Sequence, residues 1–290
     1  MATSVSSSSF APLIPAVLGR TVVDHVDAKS ILTPTSGFMS RYKFTLNPYV
    51  GCSFGCEYCY ARFFAPPKRY RETWGRWVTV KRNAVALMSD ACRSGVLKSG
   101  DKVFMSSVTD PYQPIEKQSR LTRAVLETIL NVGVQPRLTI QTRSQLVTRD
   151  VDLFRRFQRL RVNVTVTTDS DKVHSRYEPH CPPIAARFKA LEALSAAGVR
   201  IGVSISPMLP IDDVESFGKR LADLNAEEYV TQYLRPGRSR FAAGTNIEAV
   251  QKAREDGWTV AEYRRARAVL SRVLGSQRTL LEGEEGYAPA

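Results

Sequence analysis

Histidine is scarce in this sequence. There are three in 290 residues, His25, His174 and His180, and none forms an HxxxH pair. No Gly-x-Ser-x-Gly elbow, P-loop or GxGxxG stretch is present either, so nothing frames a hydrolytic triad, a triphosphate cradle or a dinucleotide site. No apolar run reaches the length of a transmembrane helix, which predicts a chain without a membrane span. The five cysteines are an odd number, and three of them fall within eight residues. That clustering argues against a disulfide framework and for a metal site in a reducing cytoplasm. Acidic residues are in deficit, 28 against 41 Lys and Arg, for a net charge of +13. The surplus favours anionic partners, nucleic acid among them. It is spread along the chain rather than gathered in a tail, which is also how a generally basic soluble protein looks. The stretch Met1–Arg20 is Ser-rich, has no acid and only one Arg. It reads as a tail rather than a targeting peptide.

What is present is an alternation of short β-type runs with amphipathic helical runs. Tyr42–Leu46 and Lys102–Ser106 read as strands, and Ser119–Leu130 as a helix with Leu121, Val125 and Ile129 on one face. Arg137–Gln141 reads as a strand, followed by a helix capped by Thr148 in which Val151, Phe154, Phe157 and Leu160 recur every three residues. Val162, Val164 and Val166 alternate as a strand, and Pro183 opens a helix that Gly198 ends. Further runs follow: a strand at Ile201–Ile205, a helix from Asp212 or Asp213 to Leu224, a strand at Tyr229–Leu234, and a late helix carrying Tyr263, Ala266, Leu270 and Val273. The alternation predicts an α/β fold with a parallel sheet and right-handed crossovers. About six units fit between residues 41 and 235, as a barrel or partial barrel, with a doubly wound sheet as the other arrangement. Residues 1–40 read as tail and lead-in, 41–240 as the barrel, and 241–290 as a helical extension.

The segment that carries chemistry is Asn47-Pro-Tyr-Val-Gly-Cys52-Ser-Phe-Gly-Cys56-Glu-Tyr-Cys59-Tyr60, with spacing C-x3-C-x2-C after the first strand. Thiolates are soft ligands for iron–sulfur clusters or zinc. Structural zinc generally takes four protein ligands from two separated pairs, and no second pair exists here. Three local thiolates suit a cluster with one open iron, free to chelate a ligand. Cys92 lies in a predicted helix and reads as a buried apolar residue. Cys181, in a loop before Pro182, reads as structural, with a place near the site as the alternative.

At these residues the chain resembles the radical S-adenosylmethionine superfamily, and more narrowly its spore photoproduct lyase-like branch. The resemblance rests on residues 47–62, on 106–116 (SSVTDPYQPIE), on 121–123 and on 176–210 with its Tyr-Glu-Pro. It implies a partial (β/α)6 TIM-like barrel. It also implies a 4Fe–4S cluster on Cys52, Cys56 and Cys59, with S-adenosylmethionine on the open iron. One electron from a flavodoxin- or ferredoxin-type reductant would cleave the sulfonium to a 5′-deoxyadenosyl radical, which abstracts hydrogen from a substrate. Tyr58 and Tyr60 would bind the cofactor and relay hydrogen atoms, Tyr60 being the relay candidate, or both simply pack the loop. Ser107, Thr109 and Asp110 would meet the methionyl ammonium, or form an ordinary Asp-Pro turn. Arg143 would face the cofactor carboxylate, or lie in solvent. Thr168 would touch the ribose. Glu178 would make polar contacts, or pair with Arg187.

One departure stands out: where spore photoproduct lyase has a hydrogen-donating cysteine, this chain has Ser107. A hydroxyl is a far poorer hydrogen-atom donor, which puts repair by that route in doubt. The substrate expectation is therefore nucleic acid or nucleotide, with a small metabolite or peptide as the second possibility. A non-catalytic, metal-stabilised nucleic-acid-binding module is a third. Arg62–Arg82 mixes cations with Tyr70, Trp74 and Trp77, suited to stacking bases or to a basic surface with the tryptophans turned inward. Arg235–Arg240 is a second basic cluster.

Overall fold

The computed structural model describes residues 15–65, 68–236, 245–276 and 278–290. Six strands run parallel in chain order: β1 (Phe44–Leu46), β2 (Lys102–Met105), β3 (Arg137–Thr142), β4 (Arg159–Thr165), β5 (Arg200–Met208) and β6 (Glu228–Tyr233). A seventh parallel strand, β7 (Leu280–Glu282), lies beside β6, and Leu32–Pro34 pairs antiparallel with β1 at the other edge. A doubly wound sheet reverses its strand order at a switch point. This sheet never reverses, so the fold is a partial (β/α)6 barrel.

The register explains which residues face which layer. Leu46, Met105, Ile140, Val162 and Ile201 stand side by side across five strands, all buried. This outer row lies beneath the helices α1 (Ala84–Arg93), α2 (Leu121–Val132), α3 (Val151–Phe154), α4 (Ile184–Ala196) and α5 (Val214–Asp223). In α2 the apolar stripe Leu121, Val125, Leu126 and Ile129 is buried, and Gly133, at φ +84°, ends the helix in the left-handed conformation that glycine adopts without strain. The alternate row, with Thr139 and Arg161, points into the lumen, because a period of two sends neighbours to opposite faces.

Beyond β6 come α6 (Ile247–Glu255) and α7 (Val260–Leu274), whose residues Tyr263, Ala266 and Leu270 are buried. Gly218 of α5 lets α7 approach closely, since a Cβ there would meet Val273 at 3.0 Å. After β7 the chain turns into the open side of the barrel. Tyr42 Oη donates to Ala288 O (3.0 Å), Arg161 Nη2 donates to the same oxygen (2.6 Å), and Ala290 N donates to Thr139 Oγ1 (3.2 Å). The final segment thus enters the lumen and is held there by residues at or beside β1, β3 and β4.

Local differences from the sequence pattern have physical causes. The helix expected from Thr148 to Leu160 is a 3-10 turn at Gln145–Asp150 followed by the short α3. The period of three runs across several elements: Val151 and Phe154 lie in α3, Phe157 in the connection after it and Leu160 in a strand. Ser144 rather than Thr148 accepts the capping N–H, from Leu146. Leu160 belongs to β4, where it alternates with Val162 and Val164. A further helix, Asp171–Tyr177, follows β4. A small sheet at Val17–Leu18, Thr21–Val26, Trp77–Lys81 and Tyr49–Val50 lies outside the barrel and packs on the cysteine loop. Most of the Arg235–Arg240 cluster lies outside the described residues, as does most of Met1–Arg20.

Candidate active site at the cysteine loop

The cysteine loop leaves the C-terminal end of β1, the end at which barrel enzymes place their chemistry. Its path needs two glycines. Gly51 has φ +79°, and a Cβ there would come within 2.5 Å of the Trp77 ring; Gly55 has φ +58° and faces Gly75 backbone at 2.9 Å. Gln113, fully buried, binds the loop from the barrel side. Its Oε1 accepts from Ser53 N (2.9 Å), and its Nε2 donates to Gly51 O (3.3 Å) and Thr109 Oγ1 (3.0 Å). From the C-terminal region, Asn246 Nδ2 donates to Glu57 O (2.9 Å) and Thr245 Oγ1 donates to Tyr58 O.

Cys52 and Cys56 are buried and Cys59 is half-buried, all three unpaired. Burial pushes the Cys52 thiol well up and Cys59 to about 12. Cys56 alone goes down, drawn first by a hydrogen bond from Cys181 and then, against burial, by the Arg143 charge. Soft metals displace protons from such thiols, so the donor set fits an iron–sulfur cluster. Two buried hydroxyls nearby, Ser53 Oγ and Ser106 Oγ, have no partner among the described residues, and Ser106 holds a left-handed backbone at φ +82°. Strain and orphaned polar atoms at one strand end fit a ligand surface.

Beneath the loop lies a buried charge network. Glu178 has no exposed surface. Its Oε1 accepts from Arg143 Nη1 (2.8 Å), Thr167 Oγ1 (3.0 Å) and Tyr58 Oη, and its Oε2 accepts from Arg187 Nη2. Arg143 Nη1 also donates to Tyr58 Oη at 2.7 Å. Burial alone raises Glu178, but Arg187 and then Arg143 pull it down to about 2.

The expected site residues therefore separate into two groups. Tyr58, Arg143, Ser107 and Tyr60 gather around the cysteines. Tyr60 is 43% exposed and its hydroxyl donates to Ser107 O. Ser107 Oγ accepts from Asn47 Nδ2 at 3.3 Å. Thr109, Asp110, Thr168 and Glu178 stand behind that surface, occupied by partners in the chain. Thr109 Oγ1 donates to Gly51 O (2.5 Å). Asp110 takes Arg143 N (2.9 Å), Tyr112 N (2.9 Å) and Thr142 Oγ1 (2.7 Å). Thr168 Oγ1 donates to Pro210 O (2.5 Å). Glu178 is the partner of Arg187.

Sequence reasoning passed over Gln113, an amide without chemistry of its own, and the Thr245–Asn246 pair, too remote to link to the motif. It read Cys181 as structural, with a place near the site as the alternative; its Sγ lies 3.5 Å from Cys56 Sγ, which is that alternative. The tryptophans of Arg62–Arg82 turn inward: Trp77 stacks near Tyr70 (4.5 Å) and Trp74 (5.8 Å) against the loop, while Arg69, Arg71 and Arg76 are exposed. No helix among the described residues is long and apolar enough to cross a membrane.

The chain is 37% identical over 191 residues to an uncharacterized protein of Methanocaldococcus jannaschii, covering 66% of this chain and 69% of that one. It is 23% identical to the Radical SAM Nalpha-GlyT isomerase of Pseudomonas phage M6, over 66% of this chain and 39% of the isomerase. Among solved structures, a mutant of spore photoproduct lyase superposes with TM-score 0.61 at 13% identity, over 88% of this chain and 78% of the lyase. The lyase complexed with dinucleoside spore photoproduct superposes with TM-score 0.56 at 13% identity, over 87% and 66%. Residues 46–224, more than half of the chain, match the family model of the Radical SAM superfamily. With its cysteine loop at the mouth of a parallel partial barrel, the chain belongs to the radical SAM superfamily of enzymes.

Proposed function

We propose that Cys52, Cys56 and Cys59 hold a 4Fe–4S cluster whose open iron binds S-adenosylmethionine, and that the protein uses this pair to abstract hydrogen from a nucleic acid or nucleotide. The observation that carries the reading is the trio of unpaired thiols on one loop at the C-terminal end of β1. When bound, the pair would supply one-electron reductive cleavage of the sulfonium, and with it hydrogen-abstracting chemistry, given a flavodoxin- or ferredoxin-type reductant. The chain's own residues bind, orient and shield. Arg143 is held by Glu178 with its guanidinium beside Tyr58, a fork suited to a carboxylate. The orphaned hydroxyl of Ser106 and the Ser107 hydroxyl are suited to an ammonium. Tyr60 is the exposed phenol at the mouth and the hydrogen-relay candidate. The segment 283–290, bonded to the lumen residues Arg161 and Thr139, keeps bulk water from the lumen. A reducing cytoplasm suits five unpaired cysteines.

Nucleic acid as substrate is supported by the +13 charge, by exposed Arg69, Arg71 and Arg76 close to the loop, and by the dinucleoside bound to the structurally similar lyase. Ser107 in place of a thiol points to an outcome other than spore photoproduct repair. The test is anaerobic reconstitution, reduction with S-adenosylmethionine present, and assay of 5′-deoxyadenosine. Cleavage is expected in the wild type and lost when the three cysteines become alanine; cleavage that survives the triple substitution overturns the assignment. Binding of labelled DNA and RNA across a salt series tests the substrate class, and no affinity at low salt removes it.

A further inference from the structure

Cys181 reaches the cysteine loop from the far side of the barrel, 125 positions along the chain from Cys56. Its backbone is pinned at both ends. Cys181 N donates to Glu178 O (2.9 Å), and Pro182 O accepts from Arg187 Nε (2.9 Å) and lies 3.1 Å from the His174 ring nitrogen. Glu178 and Arg187 are themselves fully buried, so the residue is aimed by a rigid frame. Around its Sγ lie Cys56 Sγ at 3.5 Å, Phe54 O at 3.9 Å and Arg143 Nη1 at 3.9 Å. Of the three loop thiols, Cys56 is the one with a side-chain hydrogen-bond partner among the described residues, Cys181.

Hydrogen bonds to cluster sulfurs stabilise the reduced, more negative state and so raise its potential. We propose that Cys181 is a positioning residue for the cluster, donating its S–H to Cys56 and raising the potential at which the cluster takes its electron. The inference rests on the cluster assignment above. It gives a role to a buried thiol that the chemistry does not otherwise use, and places that role in the segment carrying Glu178 and Arg187.

The test is an EPR-monitored reductive titration of the reconstituted full-length protein, without S-adenosylmethionine or substrate, for wild type, Cys181→Ala and Cys181→Ser. Loss of one net hydrogen bond is expected to lower the ratio of reduced to oxidised cluster at fixed potential about fivefold. That is a shift of about 40 mV to more negative potential at 59 mV per tenfold. Iron content should be unchanged, and the serine variant should fall between the other two. A wild-type cluster with both variants at the wild-type potential overturns this inference alone. Folded variants that have lost iron also overturn it, because Cys181 is then a ligand. A wild type that assembles no cluster overturns it together with the assignment it rests on.

Discussion

Glu178→Gln keeps the shape of the side chain and removes its charge. Arg187, with no side-chain exposure, and Arg143, with 15%, then share a buried site without a carboxylate. Deleting one partner of a buried pair costs about 3–5 kcal/mol. Proton linkage gives a second route to the magnitude. Glu178 sits at about 2 in the fold against an ordinary 4.5, a difference that contributes about 3 kcal/mol at neutral pH. Because the value is lowered, the contribution is complete above pH 4.5 and drains away as pH falls toward the folded value. The two routes agree, and they predict a gap that closes with acid, since protonated Glu178 resembles glutamine. Urea unfolding of the metal-free protein, followed by tryptophan fluorescence, measures wild type and variant across that range. A gap below about 1 kcal/mol at neutral pH, or one that stays constant on acidification, refutes the argument.

Gly51→Ala drives a Cβ within 2.5 Å of the Trp77 ring at φ +79°; iron bound after reconstitution should fall at least severalfold, whereas Gly95→Ala, with only Lys98 nearby at 3.6 Å, should retain it. Gln113→Leu leaves Ser53 N and Gly51 O without their side-chain partner and should cost about 1–3 kcal/mol by urea unfolding and speed cluster loss to a chelator. Gly286→Ala puts a Cβ 2.5 Å from Val230 Cγ1 and should lift segment 283–290 from the lumen, read as faster amide exchange at Ala290, whose N–H is bonded to Thr139, with a cost of about 1–3 kcal/mol. Ile140→Ala opens a cavity in the outer row of the sheet and should cost about 2–5 kcal/mol, with the iron content of the folded fraction unchanged.

The barrel was largely legible because its strands are buried on both faces and its helices are amphipathic, so both periods survive in the sequence. Val162 and Val164 mark β4 by alternation, and Leu121, Val125 and Ile129 mark α2 by their spacing of four. Where the period is three, as from Val151 to Leu160, pattern alone extends a helix through a boundary that tertiary pairing sets: Leu160 pairs with Leu138. The cysteines, Tyr58 and Arg143 were legible as one group, and the structure brings Tyr58 and Arg143 together beside the cysteine loop. The small sheet around Thr21–Val26 was not, nor the entry of Ala288 and Ala290 into the lumen. Those lumen contacts use the backbone C=O of Ala288 and N–H of Ala290, groups that nearly every residue carries. Cys181 was visible as a residue, but its meaning lies in a distance to Cys56 that no local pattern encodes.

That asymmetry says something about how such a site is built. Eight residues supply the thiols, but a loop with two left-handed glycines has many conformations, and a chelating one must be selected beforehand or the ordering cost falls on metal binding. Here the selection comes from far along the chain. Gln113 fixes the loop's first half. Tyr177 O holds Glu57 N (3.0 Å), Asn246 holds Glu57 O from 189 residues away, and Gly75 leaves room for Gly55. Each anchor comes from a different element, so the loop's geometry is a property of the assembled barrel. Fragments that contain the complete cysteine motif but stop short of Thr245 should therefore bind iron more weakly than the whole chain, although they keep all three cysteines.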